Sequence, residues 1–115
     1  MYGKFLPSKH QLKEIANPSI KYRHAYCELV AEHIGNALRL NAKAVTNDHM
    51  TLIFHKELIE TAHPAVLEMP FYTTRQNEWW GFISTEMTKE LSRKGYNAVL
   101  KEGRLSVYNK KERGE

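Results

Sequence analysis

The chain holds one cysteine, Cys27, among 115 residues. An internal disulfide is excluded, and a reducing, cytoplasmic setting is the expectation. No eighteen-residue apolar run occurs, which excludes a membrane-spanning helix and leaves the membrane out of the expected partners. Residues 1–7 lack the apolar core of a secretory signal, so none is expected. There is no C-x-x-C and no H-x-x-x-H among the six histidines. His24, Cys27 and Glu28 share a helical face but form no zinc motif, so neither metal nor cofactor is expected. Cys27 falls on an apolar stripe and reads as a buried, unreactive thiol. No glycine-rich phosphate loop, Walker motif or nucleophile elbow is present, and the chain reads as non-catalytic.

What the chain does have is an uneven positive charge. The formal net charge is +4. Between Arg93 and Arg113 seven basic residues face only Glu102 and Glu112, so this end alone carries more than the whole surplus. A concentration of that kind draws polyanions.

The same end carries the clearest structural pattern. Thr73 and Gln76 are spaced as a capping box. Trp80, Ile83, Met87 and Leu91 then recur at helical spacing. Glu86 pairs with Lys89 and Glu90 with Arg93 at i,i+3. Gly95 stands where a helix stops in left-handed backbone. A strand over 78–82 with a helix starting at Ser84 is the rival reading around Gly81. After Gly95 the period becomes two. A two-residue turn at Glu102-Gly103 pairs Lys101 with Arg104, Leu100 with Leu105 and Ala98 with Val107. Tyr96, Ala98, Leu100, Leu105 and Val107 then fall on one face. Asn97, Val99, Lys101, Arg104, Ser106 and Tyr108 fall on the other.

Upstream, Ser8 and Gln11 form a second capping box, opening a short helix to Ala16 that would bury Leu12 and Ile15. Asn17-Pro18 opens a long helix to about Leu40. One of its stripes holds Ile20, Cys27, Ala31, Ile34 and Leu38; the other holds Tyr22, Tyr26, Leu29, Ala37 and Leu40. Gly35 within it would allow another backbone to approach, and Asn41 would take the left-handed stop. Residues 42–45 and 50–55 read as strands around Asn47-Asp48. His63-Pro64 marks a boundary within a helical or looped stretch from Lys56 to Met69. The halves therefore look alike, as a duplicated helix–hairpin unit or as a coincidence of a common local solution. The expected fold is a single α+β domain over residues 1–115. Two helix–β-hairpin units form a small four-stranded antiparallel sheet with the helices on one face, and the tail from about 110 to 115 is disordered.

His49-Met50-Thr51 followed by Leu52-Ile53-Phe54 resembles one half-motif of the 2H phosphoesterase superfamily. In that family two such motifs face each other, one histidine serving as base and the other as acid. The matching place in the second half reads Arg104-Leu105-Ser106, which keeps the hydroxyl and lacks the histidine. The resemblance implies a degenerate phosphate binder using His49 and Thr51, with Arg104 and Ser106 as anion contacts.

The expected function is a small basic binding protein that acts on nucleic acid or on a protein of the nucleic-acid machinery, as a phage-type accessory or inhibitor would. Lys101, Arg104, Ser106, Tyr108, Lys110 and Lys111 are the expected contacts, with phosphates held by the cations and a base stacked on Tyr108. A helix followed by a basic hairpin is also the layout of winged-helix domains, but Glu78-Trp79-Trp80 is too acidic and apolar to read bases. A separate reading rests on Trp79 and Trp80, which diverge by ~100° on a helix. One of them would lie exposed, as a hot spot for a partner protein or a homodimer.

Overall fold

The computed structural model describes residues 2–47 and 51–109. A 3-10 turn, Tyr2–Phe5, precedes α1 (Lys9–Ala16). The Ser8 hydroxyl accepts from Gln11 N–H while the Gln11 side chain accepts from Ser8 N–H, the reciprocal cap expected from the sequence. Asn17 then takes the Ser19 N–H and hydroxyl on its side-chain oxygen, and α2 runs from Ser19 to Leu40.

α2 buries a single face centred on Tyr26, Val30 and Ile34. That line runs between the two expected stripes, and Leu40 at its end is exposed. Gly35 faces no second backbone: a Cβ there would meet the Arg39 guanidinium, which folds back along the helix. Asn41 is not left-handed, with φ −112°, and its amide caps the Ala37 carbonyl.

The chain then re-enters a helix, α3 (Ala42–Asn47), where a strand was expected. Alanine-rich sequence favours helix over strand. Val45 N–H donates to Asn41 and the Thr46 hydroxyl to Ala42, which closes the turn. With that helix the first hairpin and the duplicated unit disappear. The second expected strand survives as β1 (Leu52–Phe54).

α4 (Lys56–Ala62) and a 3-10 turn, Pro64–Glu68, follow, with Pro64 opening the turn as expected. α5 spans Tyr72–Arg93 and excludes a strand over 78–82. Thr73 is not its cap. The preceding residue, Phe71, sits at φ +69°, and the helix is irregular at Arg75, which breaks the spacing the capping box needs. Gly81 is tolerated within a turn held by hydroxyls: Ser84 donates to Trp80, and Thr85 to Gly81.

Gly95, at φ +94°, ends α5 as expected. β2 (Tyr96–Lys101) and β3 (Arg104–Asn109) pair in the expected register, Lys101 to Arg104, Leu100 to Leu105 and Ala98 to Val107. β1 adds to the far side of β3, Ile53 opposite Ser106, so the sheet has three antiparallel strands in the order β1-β3-β2. The class is α+β with helices on one face, as expected, on three strands rather than four. Phe54, Leu105 and Val107 point inward onto Trp79, Trp80, Ile83 and Leu91 of α5 and the Tyr26–Ile34 face of α2. Leu100, on edge strand β2, keeps 38% of its surface exposed. Among the described residues no helix is long and apolar enough to cross a membrane.

Candidate nucleic-acid interface

The two central indoles part company across α5. Trp79 is fully buried against Tyr26 and Tyr72, its ring centroid 6.1 Å and 5.6 Å from theirs. Trp80 turns the other way, is buried almost as completely, and donates from Nε1 to the Gly103 carbonyl at 2.7 Å. The expected exposed tryptophan is corrected: α5 lies between α2 and the hairpin, and each neighbour covers one indole. Trp79 is a core residue, not a contact surface.

What faces solvent is the outer side of the sheet. Because strand side chains alternate, the residues between the buried Phe54, Leu105 and Val107 point away from the helices. The register sets Ile53, Ser106 and Val99 in one row across the three strands. Ile53 and Val99 are 50% and 45% exposed. Tyr108 and Asn97 form a second row, and Arg104 with Lys101 a third. Ser106 and Tyr108 are half-buried between their neighbours, while Lys101 and Arg104 are exposed.

Extending the β1 register by one residue brings His55, still in extended backbone, beside Arg104. Both line an open cavity of about 400 Å³ with Lys56, Asn77, Trp80 and the Glu102-Gly103 turn.

Charge at this end of the sheet is unequally committed. Lys56 pairs with Glu57 at 3.0 Å and lies 3.9 Å from Glu60. Glu57 also meets His55 Nδ1 at 3.0 Å. Hydrogen bonds from Lys56, then its own backbone, then His55 hold the Glu57 carboxyl down to about 2. His55 Nδ1 lies 3.2 Å from the Leu58 N–H as well. One nitrogen cannot accept from Leu58 and donate to Glu57 together, so a bare Nδ1 caps α4 and an Nδ1–H pairs with Glu57. Among the described residues neither Lys101 nor Arg104 has an acidic partner within ion-pair distance. Two like charges directly across a strand pair are mildly unfavourable without an anion.

Of the expected contacts, Lys101, Arg104, Ser106 and Tyr108 therefore share one face, three of them at alternate positions of the central strand. Lys110, Lys111 and His49 lie outside the described residues, and Thr51 is exposed just ahead of β1. Ile53, Val99 and His55 were not among the expected contacts. The alternation Leu52-Ile53-Phe54 already places Ile53 opposite its neighbours, but nothing local says which strand it joins.

Cys27 is half-buried, and its thiol is pushed up by burial, then by Glu86 and Glu28. Among the described residues no three His, Cys, Asp or Glu side chains could hold a metal ion. Comparison with protein-family models, with curated proteins and with solved structures finds no match for this chain.

Proposed function

We propose that the outer face of the sheet binds single-stranded nucleic acid. The backbone phosphates meet Lys101 and Arg104, Ser106 offers a hydroxyl, and a base rests on Tyr108 beside Ile53 and Val99. The observation that carries the reading is the juxtaposition of Lys101 and Arg104, exposed, in register and without an acidic partner among the described residues. An antiparallel sheet with one face on helices leaves its other face free to take flat apolar rings, and stacking contributes ~1–3 kcal/mol per base. A single strand suits this surface better than a duplex, whose base faces are stacked on one another and not free to rest on a tyrosine ring. The proposed role is that of a small accessory protein of nucleic-acid metabolism.

Fluorescence anisotropy with a labelled oligonucleotide tests it. Affinity is expected to fall steeply with salt, and Lys101→Gln with Arg104→Gln to lower the slope of log K against log salt by roughly 1.4, about 0.7 per lost single-strand phosphate contact. Tyr108→Ala should weaken binding at every salt concentration. Binding that ignores salt, or no binding at low salt, removes the proposal.

A further inference from the structure

We propose that the chain forms a dimer by exchanging its first helical segment: residues 2–16 of one copy dock on the surface between α4 and Phe71 of a second copy. The segment is apolar yet uncovered. Phe5 and Ile15 are 74% and 73% exposed, Tyr2, Leu6 and Leu12 are also exposed, and α1 buries no residue. Phe5, Leu6 and Ile15 line one concavity of about 520 Å³ with Lys4 and Lys21 among its walls. Five large apolar side chains left in water within fifteen residues form the sort of patch that marks an interaction surface.

Charge selects the occupant. Lys4, Lys9, Lys13 and Lys21 stand against one acid, Glu14, which is already paired with His10 at 3.0 Å. Arm-to-arm contact would set these lysines against their own copies. The complement lies in the same chain, from α4 to Phe71, where Glu57, Glu60 and Glu68 outnumber Lys56, which Glu57 and Glu60 already share. There Leu58, Leu67 and Phe71 are exposed as well, and Glu68 has no ion pair among the described residues. Within its own chain α1 lies along α2, where Asn17 takes the Ser19 N–H and the His10 ring comes within 6.3 Å of His24. Reciprocal exchange gives each copy one donated and one received arm and closes a twofold dimer.

Sedimentation equilibrium of the whole chain over a range of concentrations tests the exchange. The native protein is expected to dimerise, and Phe5→Ser with Ile15→Ser to weaken the dimer about tenfold or more. All these side chains are exposed, and circular dichroism confirms folding. A chain carrying Lys9→Glu and Lys13→Glu should be monomeric, as should one carrying Glu68→Lys. Mixing the two should restore the dimer, since each altered surface then meets its complement. A monomer at every concentration, or a dimer indifferent to the arm substitutions, overturns the proposal. So does a monomer that binds phosphatidylserine vesicles through Phe5 and Ile15, which assigns the arm to a lipid surface.

Discussion

Trp80 Nε1 donates to the carbonyl of Gly103 at 2.7 Å, which ties the hairpin turn to α5 across 23 residues of chain. The indole lies under the hairpin and fills space there, so it fixes the tip both by packing and by a directed bond. Trp80→Phe removes the bond and leaves part of the volume empty. Urea denaturation should show a loss of about 2 kcal/mol, combining roughly 1 for the hydrogen bond with a cavity term. Amide exchange at Lys101 and Arg104 should accelerate more than in α2. A stability loss without faster exchange at the tip would show that the indole acts through packing alone.

The turn itself is not built from its best residues. Glu102 has φ +53° and Gly103 φ +76°, so both central positions are left-handed, as in a type I′ turn. Glycine meets this without strain and glutamate does not. Glu102→Asn should therefore stabilise the protein by about 0.5 kcal/mol or more, since asparagine adopts this conformation readily. It also removes the acid that stands between Lys101 and Arg104 in the turn. Tighter oligonucleotide binding should accompany the gain in thermal stability. Gly103→Ala should do the opposite, costing about 1–2 kcal/mol through backbone conformation alone, because a Cβ there meets nothing within 4 Å.

The hairpin was legible because every signal for it is local: a left-handed glycine, a two-residue turn, and alternation that makes sense in only one register. β1 was legible as a strand but not as a neighbour of β3, since pairing across fifty residues leaves no mark in either segment. Residues 42–45 failed because three or four apolar residues fit either period, and the intrinsic helix preference of Ala-Lys-Ala decided. Leu12 and Ile15 show a different limit. Periodicity says which residues share a face of α1, but whether anything covers that face depends on elements elsewhere. The indoles failed for the same reason: divergence around α5 was correctly read, but a helix enclosed on two sides hides both directions. The exposed face of the sheet was half legible, through β3 and β2, while Ile53 and His55 entered it only with the third strand.

The His33 ring contacts His63, Nδ1 to Nε2, at 3.3 Å, and stands edge-on to Phe54 at 5.9 Å between centroids. One N–H can serve both nitrogens, and two protons cannot. Burial first, then the charge of His63, lowers the His33 pKa below its usual 6.5. The unfolded chain thus binds the proton more tightly. Above about pH 6.5 neither state is charged at His33 and nothing is lost; as pH falls below that value the unfolded state gains, and stability drops until the folded-state pKa is passed. His33→Gln should flatten stability between pH 6.5 and 5 when urea midpoints are compared. An unchanged acid limb would place the proton uptake elsewhere.

At the alkaline end the phenols of Tyr26 and Tyr72 behave differently although their rings touch at 5.1 Å. Tyr72 donates to the Glu60 carboxylate at 3.0 Å. The Tyr26 hydroxyl is buried with no hydrogen-bond partner among the described residues. Burial, with smaller contributions from Glu60 and Glu57, raises the Tyr26 pKa to about 12; the nearby Tyr72 phenol eases it but stands outside hydrogen-bonding geometry. A phenol raised in the folded state contributes stability that is complete below about pH 10, where the unfolded phenol begins to ionise, and that declines as pH climbs toward 12. Tyr26→Phe should thus flatten the alkaline limb. At pH 7 it should leave stability unchanged or raise it by up to about 1 kcal/mol, because it removes a polar group that is buried without a partner. Tyr72→Phe should cost about 1–2 kcal/mol at the same pH, since it takes a donor from a carboxylate that is only partly served by Lys56 at 3.9 Å. Urea curves for the two variants at pH 7 and pH 10.5 separate these outcomes. Equal losses at pH 7 would mean that the Tyr26 hydroxyl has found a partner and that its burial is compensated.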